Sequence, residues 1–206
     1  MPTVSPLHIL TLDLPGATHA VQAEAACLGG ARWIQFRTKT LTGEARLAEA
    51  RAVVSVCRTH GAVCIINDSP ELALECDADG VHLGQEDMSP VEARKLLGTD
   101  RIIGVTVNFP EEGARVMRDG VADYAGVGPW RFTTSKAKLA PVLSPDILRA
   151  LITMMTPLPC VVIGGVIVTD VSEIRKLGAH GVAVSSGVVA APDVSGAARE
   201  FLAALG

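Results

Sequence analysis

The chain has 206 residues, of which 49% are apolar and only 3% aromatic, and its formal net charge is −4. This charge argues against a nucleic-acid partner, because domains that bind nucleic acid carry a strong basic footprint. No apolar segment approaches the roughly 20 residues of a membrane-spanning helix, and the N-terminus lacks the features of a signal peptide. The five cysteines lack C-x-x-C spacing, which predicts reduced, mostly buried thiols in a cytoplasmic protein.

Short apolar runs, typical of buried strands, alternate along the chain with segments of helical spacing. The predicted strands are residues 8–13, 33–37, 63–67, 80–83, 102–106, 124–127, 160–163 and 181–185. Helix-like stretches include residues 43–60, 89–97, 111–119, 145–155 and 171–177. Eight such strands predict an α/β fold in which a parallel sheet closes into a (β/α)8 TIM barrel. We expect a single barrel domain over residues 1–206, with an open doubly wound sheet as the alternative.

A repeated local pattern supports this architecture. Four segments read as a small-residue helix exit followed by a strand: GGARWIQF, DADGVHLG, GVADYAGVG and LGAHGVAVS. Glycine suits the end of a helix because it adopts positive φ without strain. In TIM barrels the active site lies at the carboxyl ends of the strands. The residues at those ends are therefore the candidates for function.

The second predicted strand ends in polar residues that do not suit a core. With a period of two, Ile34 and Phe36 face the helices, whereas Gln35, Arg37 and Lys39 face the barrel mouth. Burying two cations without partners costs several kcal/mol each, a cost that a polyanionic ligand would remove. The alternative is that these charges pair with local carboxylates.

Two carboxylates follow neighbouring strands, Asp68 after the third and Asp87 after the fourth. Together they predict a Mg²⁺ site, because Mg²⁺ takes one or two carboxylates and fills its other positions with water and phosphate oxygens. The alternative is that each caps a helix, Asp68 ahead of Pro70 and Asp87 ahead of the helix that starts near Ser89.

The last strands and the loop after the sixth strand offer phosphate ligands. Gly164-Gly165 follows the seventh strand and Ser185-Ser186 the eighth, where barrels often bind phosphate through backbone N–H groups. The loop of residues 128–136 carries hydroxyls and two cations, and its alternative role is that of a surface lid. His82 lies within a strand and is expected to be a hydrogen-bonded interior group.

In this order the motifs resemble the thiamine phosphate synthase family. The resemblance runs from about residue 35 to residue 186, through QFRTK, IIND, ADGVHLGQEDM, ADYAGVGPWRFTTSK, VIGGV and GVAVSS. It implies a transferase on a TIM barrel that couples a hydroxymethylpyrimidine diphosphate to a hydroxyethylthiazole phosphate, releasing diphosphate and forming thiamine phosphate.

The resemblance also implies roles for individual residues. The pyrimidine diphosphate would be bound by Gln35, Arg37, Lys39, Asn67, Thr106 and Lys136. Asp68 and Asp87 would hold Mg²⁺. The thiazole phosphate would be bound by Thr133, Ser135, Gly165, Ser185 and Ser186, with Gly164 beside them. Arg37, Lys39, Thr106 and Lys136 are the expected catalytic residues, the cations stabilising the leaving diphosphate.

Three positions depart from the family pattern, one of them Ser185, which stands where an apolar residue is more usual. Ser69 is short where the family often has a longer polar side chain, and Asn108 replaces a histidine at the end of the fifth strand. A related thiazole tautomerase, whose proton transfer is associated with that histidine, is therefore the less favoured alternative. A non-catalytic barrel that binds a phosphorylated ligand is the other. The expected partners are small-molecule substrates, and the sequence leaves a homo-oligomer open.

Overall fold

The computed structural model describes residues 3–132 and 141–206. Eight parallel strands form a closed barrel in which each strand pairs with the next and β8 pairs with β1. The predicted barrel is thus confirmed, and the open sheet is excluded. The strands are β1 Leu7–Leu10, β2 Trp33–Phe36, β3 Val63–Asn67, β4 Gly80–Leu83, β5 Ile102–Val107, β6 Tyr124–Val127, β7 Cys160–Ile163 and β8 Gly181–Val184.

Helices follow the strands and cover the outer face of the barrel. They are α1 His19–Leu28, α2 Gly43–Thr59, α3 Pro70–Glu75, α4 Pro90–Leu97, α5 Pro110–Asp119, α6 Pro145–Met154, α7 Val171–Lys176, α8 Ser186–Val189 and α9 Val194–Leu205, with a 3-10 turn at Val168–Asp170. Serine precedes proline at the start of three helices, where Ser69, Ser89 and Ser144 accept a backbone N–H of the first turn. The serine supplies the cap and the proline needs no hydrogen-bond partner there, so the sequence itself starts these helices.

Strand β1 is shorter than predicted and ends at Leu10 rather than at residue 13. Thr11 still donates its N–H to the Gln35 carbonyl, but the chain then leaves the sheet. The buried Gln22 of α1 takes both backbone groups of Leu12, which donates to Gln22 Oε1 (2.9 Å) and accepts from Gln22 Nε2 (2.7 Å). A strand would need those groups for its ladder, so Gln22 ends it.

The strands separate two apolar layers, as alternating side chains require. Outward-facing residues such as Ile34 and Phe36 pack against the helices. A smaller inner cluster around Trp33 and Tyr124 fills the barrel below the mouth. His8 stacks on Trp33 with ring centroids 4.5 Å apart, and burial holds the pKa of this histidine well below its ordinary value.

All five cysteines are free and buried, which agrees with the expected reduced thiols. In the parts of the chain that the structure describes, no helix is long and apolar enough to cross a membrane.

Candidate active site

A cavity of about 520 Å³ opens at the carboxyl ends of the strands. Its lining includes residues from the ends of β1 through β8, because a closed parallel barrel brings all these ends to one rim. Most of the predicted site residues lie there: Gln35, Arg37, Asn67, Asp68, Asp87, Thr106, Gly164, Gly165, Ser185 and Ser186. The cavity therefore joins the expected diphosphate, metal and phosphate positions in one space.

Three predicted residues, Thr133, Ser135 and Lys136, lie outside the described residues. Lys39 is described, but it is exposed and is not among the described residues that line the cavity. The expected alternation holds for Gln35 and Arg37 and then stops, since β2 ends at Phe36. Beyond that point the backbone turns, and the Lys39 N–H donates to Asp13 Oδ2 at 2.7 Å. A substrate contact from Lys39 stays a prediction.

Asp68 and Asp87 line the cavity together with Glu86. The helix-capping alternative is wrong for both, because Ser69 caps α3 and Ser89 caps α4. Asp68 has a φ of +70°, a left-handed conformation that is uncommon outside glycine and clusters at functional sites. Asp87 Oδ2 accepts the Gly84 N–H at 2.6 Å, which ties its loop to the end of β4.

These carboxylates fit a hard cation such as Mg²⁺. Among the described residues there is no group of three or more His, Cys, Asp or Glu that could hold a metal by itself. Mg²⁺ does not need one, because it keeps water and phosphate oxygens as ligands. Two carboxylates that line a cavity together with Arg37 would suit a metal bound together with an anionic substrate.

A hydrogen-bonded chain crosses the floor of the cavity. His82 lies between Tyr124 and Thr106, with Nδ1 3.0 Å from the Tyr124 hydroxyl and Nε2 3.0 Å from the Thr106 hydroxyl. Burial raises the pKa of Tyr124, so its phenol keeps its proton. His82 is the hydrogen-bonded interior group that was expected, and it orients the Thr106 hydroxyl in the cavity.

Asn108, the departure at the end of β5, also lines the cavity. Its side-chain amide donates to the Gly128 carbonyl and thereby ties the end of β5 to the end of β6. A carboxamide does not exchange protons near neutral pH. The tautomerase alternative depends on a proton-transferring group at this position. Asn108 instead makes a hydrogen bond that holds two strand ends together.

The two glycines after β7 have positive φ angles, +102° at Gly164 and +66° at Gly165. This backbone conformation suits a loop that lies close to a ligand. Arg131 holds this loop from the β6 side. Its N–H donates to the Gly164 carbonyl at 2.8 Å, and its guanidinium donates to the Gly165 carbonyl and to both carboxylate oxygens of Asp170. Burial opposes ionisation of Asp170, but the hydrogen bonds from Arg131 and from the Ile167 N–H outweigh it and lower the pKa of that carboxyl.

Ser185 lies at the cavity, but its hydroxyl donates to the Leu10 carbonyl at 3.0 Å. A contact from Ser185 to a phosphate would therefore use its backbone N–H, as the sequence predicts for this loop. Ser186 is the first residue of α8.

Sequence reasoning missed several residues that shape the site. Phe109 and Glu112 line the cavity, and Glu112 Oε2 accepts the N–H groups of Asn108 (2.7 Å) and Phe109 (3.2 Å). A signal existed for this contact, because a glutamate three residues into a helix commonly caps it from inside. The pairing of Arg131 with Asp170, 39 positions apart, had no local signal.

Fold and site define a TIM-barrel protein with a polar cavity at the carboxyl ends of its strands. The family model for thiamine monophosphate synthase matches residues 9–188, and the chain belongs to that family.

Individual relatives agree with this family assignment. The chain is 43% identical to the thiamine biosynthesis bifunctional protein ThiM/ThiE of Symbiobacterium thermophilum over 98% of its length, although it spans only 42% of that protein. It is 41% identical to the thiamine-phosphate synthase of Chloroflexus aurantiacus, covering 91% of this chain and 86% of that one. The solved thiamine phosphate pyrophosphorylase of Pyrococcus furiosus is similar with a TM-score of 0.87 and 31% identity, over 97% of this chain and 94% of that chain.

Proposed function

We propose that this protein is a thiamine-phosphate synthase, which joins a hydroxymethylpyrimidine diphosphate to a hydroxyethylthiazole phosphate and releases diphosphate. The observation that carries the proposal is the single cavity in which polar residues of the family motifs converge. The family membership and the relatives named thiamine-phosphate synthase support it.

The pyrimidine diphosphate would lie between β2, β3 and β5. Arg37 supplies a cation for the diphosphate, and Gln35 and Asn67 supply amide groups for the pyrimidine or its first phosphate. Thr106 would direct its hydroxyl at the same substrate, since His82 fixes the position of its oxygen. Lys39 would join them by its long side chain, which is exposed and lies close in sequence to Arg37.

Asp68 and Asp87 would hold Mg²⁺ on this diphosphate. When bound, the ion would neutralise charge on the departing group. The strained backbone of Asp68 supports this assignment, because such a conformation is retained at ligand sites at a cost of about 1–3 kcal/mol.

The thiazole phosphate would lie across the barrel mouth, on backbone N–H groups of Gly164, Gly165, Ser185 and Ser186. Glycine lets the backbone approach an anion closely. Thr133 and Ser135, from the loop after β6, would add hydroxyl donors.

The chemistry needs no protein nucleophile. Loss of diphosphate from the aminopyrimidine methylene leaves a resonance-stabilised cation, which the thiazole nitrogen captures. The chain would contribute by holding two substrates together and by stabilising the charge that builds on the leaving oxygen, with Arg37, Lys39 and Lys136 as the cations.

We further propose that residues 1–206 form one domain that acts on small molecules in the cytoplasm. The terminal helix α9 supports the first point, because Ser195 donates to the Ala25 carbonyl of α1 at 2.7 Å and so packs the end of the chain on its beginning. The free buried thiols support the second.

The direct test is to incubate the purified protein with both substrates and Mg²⁺ and to measure thiamine phosphate and diphosphate. Equal amounts of both products are expected, and reactions that lack either substrate should give neither. Failure of the folded protein to form thiamine phosphate would overturn the proposal.

A further inference from the structure

The loop that follows β2, residues 37–41, carries Arg37 and Lys39 and is held by a group of three polar residues, of which Thr11 and His19 are buried and Asp13 is half-buried. Asp13 accepts hydrogen bonds from the Thr38 hydroxyl (2.5 Å) and from the Lys39 N–H (2.7 Å). Thr38 in turn accepts the Leu41 N–H at 3.0 Å, which closes the loop on itself. Beyond Phe36 the backbone has left β2, and Asp13 accepts a backbone hydrogen bond in place of a neighbouring strand.

His19 and Thr11 complete the group. His19 Nε2 lies 3.2 Å from Asp13 Oδ1, and Nδ1 lies 2.8 Å from the Thr11 hydroxyl, which also accepts the Arg37 N–H at 3.0 Å. The His19 ring is 4% exposed and meets Phe36 edge-on, with ring centroids 5.0 Å apart. The imidazole therefore links Thr11, which binds residue 37, to Asp13, which binds residues 38 and 39.

The segment that carries Thr11 and Asp13 is itself bound to α1. Gln22 binds both backbone groups of Leu12, so the segment between Thr11 and Asp13 is anchored to α1. Among the described residues, Asp13 is not part of the cavity lining. It reaches the loop through its hydrogen bonds to Thr38 and Lys39.

Asp13 is ionised at any ordinary pH. Burial opposes its charge, but hydrogen bonds from Thr38, Lys39, Thr40 and His19 outweigh that effect and lower its pKa to about 2. A carboxylate close to a site for a polyanion would repel the ligand if its charge were not engaged. Here both of its oxygens are occupied by donors from the loop and from α1.

We propose that Thr11, Asp13 and His19 are positioning residues that hold residues 37–39 in the conformation that binds the diphosphate. This inference rests on the proposed function. Its physical basis is preorganisation, because a loop that is already ordered loses less conformational entropy when the ligand binds.

The test compares Asp13→Asn with Thr38→Val and with Asp100→Asn, a matched control in an exposed turn before β5. Asp13→Asn preserves shape but places an amide NH₂ against a donor, so one charge-assisted hydrogen bond is lost. We expect kcat/KM for the pyrimidine diphosphate to fall about tenfold, and the KM for the thiazole phosphate to stay within about twofold. Thr38→Val, which removes one donor and leaves the charge, should show the same selectivity with a smaller loss.

His19→Gln provides the rescue arm, because the glutamine amide can still donate to Asp13. It should retain most of the activity that His19→Phe loses. A merely structural role would lower the stability of all these variants without selecting one substrate over the other.

Amide hydrogen exchange separates this inference from the proposed function. Exchange at residues 37–41 should accelerate in Asp13→Asn and Thr38→Val, and exchange at residues 164–166 should not change. If the wild-type protein makes no thiamine phosphate, the proposed function fails, and the anchoring is judged on this exchange alone. Unchanged exchange at residues 37–41 in both variants, or an equal rise in KM for both substrates, would overturn the inference.

Discussion

Gly165→Ala tests the loop after β7 on both stability and substrate selectivity. Gly165 has a φ of +66°, and a Cβ at this position would lie 3.0 Å from Arg131 Cβ and 3.4 Å from the Phe132 carbonyl oxygen. The first of these distances is shorter than an ordinary van der Waals contact. Arg131 has little freedom to move away, because its N–H bonds to Gly164 and its guanidinium pairs with Asp170, which is only 5% exposed.

The expected cost has two parts. An alanine in the left-handed region costs about 1–2 kcal/mol, and overpacking against a fixed neighbour adds about 1–3 kcal/mol. Gly120→Ala isolates the first part, because Gly120 has a φ of +62° and a Cβ there would meet nothing within 4 Å. Denaturant unfolding should therefore show a larger loss of stability for Gly165→Ala than for Gly120→Ala, by about 1–3 kcal/mol.

The kinetic expectation is equally specific. The added methyl group and the displaced backbone should raise the KM for the thiazole phosphate about tenfold, roughly 1.4 kcal/mol, and spare the KM for the pyrimidine diphosphate. Gly120→Ala, at the far end of α5, should change neither. Equal stability of the two variants would refute the steric argument, and equal weakening of both substrates would refute the placement of the thiazole phosphate.

The remaining predictions concern the metal, the loop after β6 and acid stability. Excess chelator should abolish turnover and Mg²⁺ or Mn²⁺ should restore it, and undiminished turnover in chelator would contradict the metal assignment. Asp68→Ala should lose activity while still folding. Lys136→Ala should lower kcat about 10²-fold, roughly 2.7 kcal/mol, with a smaller change in KM, and Lys136→Arg should restore it only in part. Folding lowers the pKa of Asp13 from 3.8 to about 2. The contribution of Asp13 to the free energy of unfolding is therefore complete above about pH 4, and it is lost as the pH falls from about 4 to about 2. Unfolding titrations should show this loss, about 2 kcal/mol, in the wild type and not in Asp13→Asn.

The sequence by itself determined the barrel and much of its functional rim. Strands such as β3 and β7 have the bounds that the sequence predicts, because each is a short apolar run flanked by residues that stop a strand. Once eight parallel strands close, topology alone brings their carboxyl ends together. Gln35, Asp68 and Gly164 could therefore be assigned to one cavity without any knowledge of their contacts.

Only the tertiary structure decided which residues hold the site in place. Gln22 ends β1 and Arg131 binds Asp170 through contacts that span 10 and 39 positions of the chain. Hydrogen bonds between segments so far apart leave no periodic pattern, since each depends on where two separate elements pack. For the same reason the sequence could not place Lys39. Its position is set by the hydrogen bond from its N–H to Asp13, 26 residues earlier, and not by the alternation of side chains along the preceding strand.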